Sequence, residues 1–374
     1  MSLVALSIFT RGGRSIRLNP RPKSRLFASQ GPRETRLVTT EAGGGDDEAS
    51  KAVGNGDCLV SGLNSAQDIM VRAVSCRETV QETILRNDLS SDSAQKLAEV
   101  MASSLLMGAG LKQNETLQVN IVGGDPNRIR NVMVVTDGDL SVRGLVGNPE
   151  FKMSSNKPEL SVMDVFGDGG QLQVVRNHPD FKQPQVGIVG LRDADISLNL
   201  AMYMQESEQK AAAIICDCLV EGGLCRHALA VIVERLPGVT DESIETSITN
   251  LGEVEKKGLR SYLTRTADEI AQIEKENQEK GVQGDMFRDF EPIMERILDD
   301  VMDGMDDGGT LRWTKNPSFR CSCGVERVWR TLSILPREDI EKIVEDQEVV
   351  EIKCQFCGSA YSVSPDEIRE KLLS

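Results

Sequence analysis

Cys321-Ser322-Cys323-Gly324 and, thirty residues on, Cys354-Gln355-Phe356-Cys357-Gly358 decide how this chain is read. Two closely spaced thiol pairs with an intermediate spacer are the signature of a tetrahedral four-cysteine zinc site. Cys321, Cys323, Cys354 and Cys357 are therefore the predicted ligands of one Zn2+ per chain. A glycine follows the second cysteine of each pair. Glycine reaches positive φ at little cost, which lets the backbone curl around a metal and aim N–H groups at the sulfurs. Two structural disulfides, or free thiols in a small core, are the plainer alternatives. The first pair is Cys-x-Cys rather than the Cys-x-x-Cys of an ordinary zinc ribbon. It makes a tight, strained ligand pair and a near partner for a disulfide.

The thiols lie in a C-terminal stretch, 311–374, that is short of apolar residues. A piece of about sixty residues is marginal without a staple. Structural zinc contributes roughly 10–16 kcal/mol of apparent binding energy in small peptides, so the metal is the expected staple. Zinc-bound thiolates remain oxidisable. Converting two of them to a disulfide removes two ligands, and because metal binding is folding energy here, oxidation is expected to unfold the module. Cys321 with Cys323, and Cys354 with Cys357, are near enough in sequence to pair locally.

At 374 residues the chain has room for two or three domains and a sizeable core. Aromatic residues are only 4%, so that core must be mainly aliphatic. The cysteine count is nine, an odd number. Cys58, Cys76, Cys216, Cys218 and Cys225 sit outside the cluster among apolar residues, which suits a reducing compartment better than a secreted disulfide framework. The net charge of −15 is uneven, about +4 over residues 1–56 and about −19 over the rest. An acidic body disfavours nucleic-acid partners. No apolar run approaches the ~20 residues that span a bilayer.

Up to Arg33 the chain has seven Lys/Arg, five serines and no acidic residue. Ser2–Phe9 is apolar and fits an amphipathic helix with the arginines that follow. That composition matches an organelle transit peptide, followed by the acidic, glycine-rich linker Glu41–Glu48; a disordered basic tail is the plainer alternative. The arginines suit a mitochondrial matrix, and the serines with Leu26-Phe27-Ala28-Ser29 suit a plastid stroma. A cytoplasmic site follows if the extension is not a targeting signal.

Residues 57–237 read as a sheet-rich core. Asp68–Ser75 reads as a strand and Arg77–Arg86 as a short helix. Ser91-Asp92-Ser93 is an N-cap cluster for a helix running to Gly108 or Gly110, with Leu97, Val100, Met101, Ser104 and Leu105 on one face. Strands are predicted over 117–122, 129–135, 139–146, 161–166, 172–175 and 185–189. Gly167-Asp168-Gly169-Gly170 then falls between two strands. A phosphate loop must open onto a helix N-terminus, so this is a hairpin turn. Ile196–Gln209 reads as a helix and 211–236 as a hairpin with Cys216, Cys218, Cys225 and His227 near its tip. These thiols are read as small hydrophobes and His227 as a surface residue, in preference to a second metal site.

From Gly238 to Thr310 there are 19 Asp/Glu against eight Lys/Arg. Leu259, Leu263, Thr266, Ile270 and Ile273 form one helical stripe. Phe287, Phe290, Met294, Ile297 and Val301 form a second. Such stripes need a partner surface, since helix stability comes mostly from docking. The segment reads as a connector that lies on something and can let go, exposing its stripes and the surface beneath; an ordinary helical subdomain is the alternative. The fold class is α+β: a β-sheet-rich core domain with packed helices, a charged helical linker and a small C-terminal four-cysteine zinc domain. The expected boundaries are 1–56 for transit peptide and disordered linker, 57–237 for the core, 238–310 for the charged linker and 311–374 for the thiol module.

The chain resembles the redox-regulated heat shock protein 33 family, the 33 kDa chaperonins. The resemblance rests on the four-cysteine spacing, on Cys354-Gln-Phe-Cys357-Gly358-Ser-Ala-Tyr361 and on the order of the parts. Tyr203-Met-Gln-Glu-Ser207-Glu208-Gln209 is also similar to that family's Tyr-x-x-x-Ser-Glu-Gln helix end. The likeness covers roughly 57–374. It implies an ATP-independent holdase, not an enzyme, whose reduced form holds zinc on Cys321, Cys323, Cys354 and Cys357 and is inactive. Oxidation would pair neighbouring cysteines as disulfides, displace the zinc, unfold the linker and give an active homodimer that binds unfolded client proteins. The N-terminal extension and a longer linker depart from the family pattern.

Two rivals predict other features. A zinc-ribbon nucleic-acid module wants basic and aromatic residues around the metal. Arg320, Arg327, Arg330 and Trp329 offer a little, and the acidic linker and Glu338–Glu351 oppose it. A thiol-disulfide oxidoreductase using Cys354-x-x-Cys357 wants the motif at a strand-to-helix junction of a βαβ fold. Other catalysis finds no support: there are two histidines, His178 and His227, and no nucleophile elbow, P-loop or metalloprotease motif.

Overall fold

The computed structural model describes residues 6–10, 15–16, 56–153, 160–263, 290–305, 311–346 and 349–373. Contacts group the chain into a larger unit, Gly54–Gly324 with Cys354–Ser359, and a smaller one, Met1–Val53 with Val325–Lys353 and Ala360–Ser374. The N-terminal elements are strands β1 (Leu6–Thr10) and β2 (Ser15–Ile16), an antiparallel pair where the sequence favoured a helix over Ser2–Phe9. Ile8, Phe9 and Thr10 are strong strand formers, and that local preference wins. The remaining basic residues and the linker Glu41–Glu48 lie outside the described residues.

In the larger unit, strands β3 (Cys58–Leu63) and β4 (Ile69–Ser75) lead into helices α1 (Arg77–Asn87) and α2 (Ser91–Gly108). Next come strands β5 (Thr116–Val122), β6 (Asn131–Asp137) and β7 (Ser141–Val146), then helix α3 (Val162–Phe166). Strands β8 (Gln171–Asn177) and β9 (Gln185–Gly190), helix α4 (Ile196–Ser207), and the hairpin β10 (Ala212–Glu221) and β11 (Leu224–Arg235) follow. Helices α5 (Asp241–Lys257) and α6 (Glu291–Met302) and strands β12 (Leu311–Lys315) and β13 (Ser318–Phe319) complete it. One sheet has the order β10-β11-β4-β3-β12 and the other β13-β7-β6-β5-β8-β9. All the pairings are antiparallel except β13 with β7.

The residue-by-residue alternation of the first sheet fixes the layers. Leu59, Val74, Ile214, Ala230 and Ile232 face one way and join Leu97, Val100, Met101 and Leu105 of α2, with Val119, Val134, Val142 and Val174 of the second sheet, in one core. The helix is thus buried between two sheets. Cys58, Val60, Ile69, Val71, Ala73, Leu229, Val231 and Val233 face the other way, and there they meet the acidic segment. Leu251 and Val254 of α5, Leu259 and Tyr262 of a short 3-10 turn (Leu259–Leu263), and Phe290, Met294, Ile297, Leu298 and Val301 of α6 form the second core with them. This sheet face is the partner surface that the apolar stripes require. Thr266, Ile270, Ile273 and Phe287 lie outside the described residues.

The expected strand over 161–166 is helix α3. Ser161 and Asp164 form a capping box, each side chain bonding the other's backbone N–H, and this local pairing overrides the β-branched content. Gly167–Gly170 therefore joins a helix to a strand rather than two strands. It still opens onto β8 and offers no helix N-terminus to a phosphate. On α4 the buried face is Ile196, Leu200, Tyr203 and Met204, and Leu198 is exposed.

Helix α1 has no cap from its own N-cap residue, Cys76. Asp57 supplies it from the start of β3, accepting from the N–H groups of Glu78 at 3.0 Å and Thr79 at 2.7 Å. Burial outweighs these bonds and raises the Asp57 carboxyl to about 7. The folded state then holds a proton that the unfolded chain releases near pH 4. This contribution to stability is full below pH ~4 and is lost as the pH rises to about 7. Urea midpoints should show the stability advantage of the wild type over Asp57→Ala shrinking across that window; a constant difference would exclude the titration.

In the smaller unit, helices α7 (Val325–Leu332) and α8 (Arg337–Glu345), strands β14 (Val350–Cys354) and β15 (Ala360–Val363) and the single turn α9 (Pro365–Ile368) surround a thin core. Val328, Leu332, Ile340, Ile343, Val350, Ile352 and Val363 are buried in it. The Lys371 ammonium stands 4.5 Å from the Trp329 ring centroid.

Candidate metal centre

The first thiol pair is positioned by a sheet edge. Ser318 and Phe319 pair with Ser141 and Val142, and the Arg320 N–H donates to the Val142 carbonyl at 3.1 Å, so the chain leaves the sheet at Cys321. The second pair is positioned by a knuckle. The Gly358 N–H donates to the Cys354 carbonyl, and the Cys354 N–H to the Ser359 carbonyl, both at 2.9 Å. Gly358 sits at φ +73°, where a Cβ is disfavoured. Gly324 lies outside the left-handed region, so backbone geometry demands glycine only after the second pair.

The four Sγ atoms lie within 4.8 Å of one another. Cys321 Sγ is 3.7 Å from Cys354 Sγ, and Cys323 Sγ is 3.3 Å from Cys357 Sγ. Sulfurs about 2.3 Å from a tetrahedral zinc stand about 3.8 Å apart, whereas a disulfide needs about 2.0 Å. The spacing is that of a metal site, not of a disulfide. The Cys321 and Cys354 thiols are in hydrogen-bond contact, and the N–H groups of Cys357 and Phe356 point at the Cys354 sulfur. Together they outweigh burial and lower the Cys354 thiol. The same contact, with burial, pushes Cys321 up. A sulfur met by two backbone donors is preorganised as a thiolate ligand.

Phe356, between the second two thiols, is 2% exposed. Its carbonyl accepts from Asn87 Nδ2 at 3.0 Å, and the Arg143 guanidinium stands 5.3 Å from its ring centroid. The Arg86 guanidinium stands 4.7 Å from the Phe319 ring. Helix α1 and strand β7 thus hold both thiol pairs. Sequence reading assigned Phe356 no such role; an apolar residue between two ligands was the available signal.

Among the described residues these four cysteines are the one group of three or more His, Cys, Asp or Glu whose ligand atoms come this close. Cys58, Cys76, Cys218 and Cys225 are buried and Cys216 is half-buried, and all five are outside any disulfide. Burial pushes Cys76 up and Cys225 to about 12, as expected of small hydrophobes rather than ligands. Cys216 Sγ lies 3.5 Å from Cys218 Sγ, and that contact, with burial, raises Cys218. His227 is buried, not at the surface as expected, because Asp217 on the neighbouring strand accepts from its Nε2 at 2.9 Å. The Ser-Glu-Gln helix end is structural: Glu208 takes Arg176 at 3.1 Å, Lys210 at 3.0 Å and the Tyr203 hydroxyl at 3.4 Å, fastening α4 to β8.

Three comparisons bear on this arrangement. The family described as "Hsp33 protein" matches residues 57–364. A 33 kDa chaperonin of Clostridium botulinum (strain 657 / Type Ba4) is 28% identical over 321 residues, covering 85% of this chain and 98% of its own length. A 33 kDa chaperonin of Clostridium perfringens (strain SM101) is 28% identical over 315 residues, covering 82% and 89%. The crystal structure of the 33 kDa chaperonin of Thermotoga maritima shares the fold, with a TM-score of 0.67 and 22% identity over 85% of this chain and 98% of that one. With the four-cysteine centre and the two-sheet core, these matches show that the chain belongs to the Hsp33 family of chaperones.

Proposed function

We propose that the protein is a redox-regulated, ATP-independent holdase, held inactive while Cys321, Cys323, Cys354 and Cys357 ligate one Zn2+. The observation that carries this reading is the cluster of four Sγ atoms, within 4.8 Å of one another and none in a disulfide. Bound zinc would supply charge that keeps all four sulfurs deprotonated and would cross-link the two pairs. Each neighbouring pair, Cys321 with Cys323 and Cys354 with Cys357, surrenders two electrons to a peroxide as its S–S bond forms. The peroxide is reduced to water, and the protein loses its metal-binding sulfurs. The Phe356 knuckle then loses the metal's cross-link to the first pair and keeps only its own backbone bonds and its contacts with Asn87 and Arg143. The chain divides functionally into the core 57–237, the acidic linker 238–310 and the thiol module 311–374.

Release of the linker would bare Val60, Val71, Val231 and their neighbours together with the stripe on α6. Apolar surface of that extent binds unfolded chains, and an active homodimer presents two such faces. Cys354 ends a strand and enters a turn rather than a helix, which opposes an oxidoreductase. No helix of the described residues is long and apolar enough to cross a membrane. The basic, acid-free N-terminus supports import into a plastid stroma or mitochondrial matrix.

Peroxide treatment of the full chain, followed by a chromogenic chelator and by aggregation of a denatured client, tests the reading. Zinc should be released and aggregation suppressed, and thiol reductant with zinc should reverse both. Retention of zinc, or equal activity in the reduced and oxidised forms, would sink it.

A further inference from the structure

We propose that Asp217 is a clamp that fastens the acidic linker to the core sheet through Arg260, so that its loss frees the linker without any change at the four thiols. This rests on the proposed function only for its activity readout. Asp217 lies on β10 between Cys216 and Cys218, which point to the α2 side, while Ala213 and Ile215 pack on the linker side. Alternation puts Asp217 on the linker side as well. There the 3-10 turn Leu259–Leu263 brings Arg260 against it.

The carboxylate is saturated by four donors. Oδ2 accepts from the Arg260 backbone N–H and from its Nε, both at 3.0 Å; Oδ1 accepts from Arg260 Nη2 at 2.9 Å and from His227 Nε2 at 2.9 Å. The Asp217 side chain is 13% exposed and that of His227 7%, while that of Arg260 is 60% exposed. Burial opposes ionisation of Asp217, but the bonds from His227 and Arg260 outweigh it and hold the carboxyl well below the usual range. A forked, charge-assisted pair fixes orientation as well as distance. His227, buried on β11, keeps the carboxylate aimed outward at the turn.

The turn is the pivot of the linker. Arg296 of α6 donates to the Tyr262 carbonyl at 2.8 Å, the Tyr262 hydroxyl bonds Asp300, and Lys257 of α5 reaches Asp300 at 2.9 Å. Both linker helices are laced to the turn, and Asp217 ties the turn to the sheet. The linker has other polar ties as well, among them Thr240 N–H to Asp68, the Ser65 hydroxyl to the Met305 carbonyl, the Thr314 hydroxyl to Glu291, and Asp299 to Arg312 of β12.

Arg260→Ala is the cleanest probe, because its side chain is mostly in solvent and the Asp217–His227 bond survives. Hydrogen exchange is read on the reduced, zinc-loaded full chain, with zinc content and the thermal midpoint alongside. Amides of 241–263 and 290–302 should exchange about tenfold faster or more, with β3–β5 unchanged and one zinc retained. Arg260→Lys, which keeps the charge but loses the fork, should fall between. Reduced Arg260→Ala should also suppress client aggregation where the reduced wild type does not. Wild-type exchange rates in Arg260→Ala, or equal rates for Arg260→Lys and Arg260→Ala, would overturn the clamp. Asp217→Asn gives a second route: unchanged linker exchange with a folded core would overturn it too. Peroxide-treated wild type that stays inactive would instead refute the proposed function and leave the exchange result to decide the clamp.

Discussion

Replacing Cys354 and Cys357 together by serine should leave the chain without stoichiometric zinc. The two sulfurs are half of the proposed donor set, and Cys354 is the one lowered by its contact with Cys321 and by the N–H groups of Phe356 and Cys357. Structural zinc is worth roughly 10–16 kcal/mol in small peptides. Loss of two thiolate ligands should therefore lower affinity by many orders of magnitude, and zinc per chain should fall from one to a small fraction. The core of the smaller unit is thin, so residues 325–373 should become sensitive to protease in the reduced protein while 57–237 stay resistant. Metal analysis and limited proteolysis read the two effects separately. A variant that keeps one tightly bound zinc per chain would show that these sulfurs are not its ligands.

Ile297→Asp should open the linker in the reduced protein. Ile297 is fully buried between α6 and the sheet. Packing there is close: a Cβ on Gly62 would stand 2.8 Å from Leu298 Cδ2 and 3.1 Å from Met302 Sδ. Losing a buried isoleucine costs about 1.5–3 kcal/mol, and an unpaired carboxylate adds several more, so about 4 kcal/mol or more is expected. A 12-residue helix has little stability of its own, so α6 should melt once undocked. Far-UV ellipticity should fall, a hydrophobic dye should bind, and reduced, zinc-loaded protein should suppress client aggregation. Glu295→Ala, at an exposed position of the same helix, is the control and should do none of these. A compact, dye-silent Ile297→Asp protein would mean that docking of α6 does not guard the sheet face.

The elements with strong periodicity were legible in the sequence. Helix α2, the hairpin β10–β11 and the α6 stripe from Phe290 to Val301 lie where the apolar spacing puts them, because burial enforces a period of 3.6 or 2. The four-cysteine cluster was legible for a different reason: metal ligation needs few residues at fixed spacing. What escaped depends on partners distant in sequence. Strand β3 was not predicted, since Cys58–Leu63 gains its identity from pairing with β4 and β12. Residues 161–166 have strand-like side chains but a capping box sets their backbone. His227 passed for a surface residue because Asp217, its partner, lies across a hairpin. The docking of Phe356 on Asn87 and Arg143 joins residues more than 200 positions apart, and no local pattern encodes it.

Strand β12 pairs along its whole length with β3, and β13 with β7, only a few residues before Cys321. The first thiol pair is therefore moored to both sheets whatever the state of the metal. Reassembly after reduction is a loop-closure problem: Cys354 and Cys357 must return across the thirty residues that separate them from Cys323. Closing such a loop costs about 3 kcal/mol of chain entropy beyond a constant, a small fraction of what zinc ligation returns. The second pair stays at high local concentration around the first. Resetting of the proposed switch should accordingly follow first-order kinetics, with a rate independent of protein concentration.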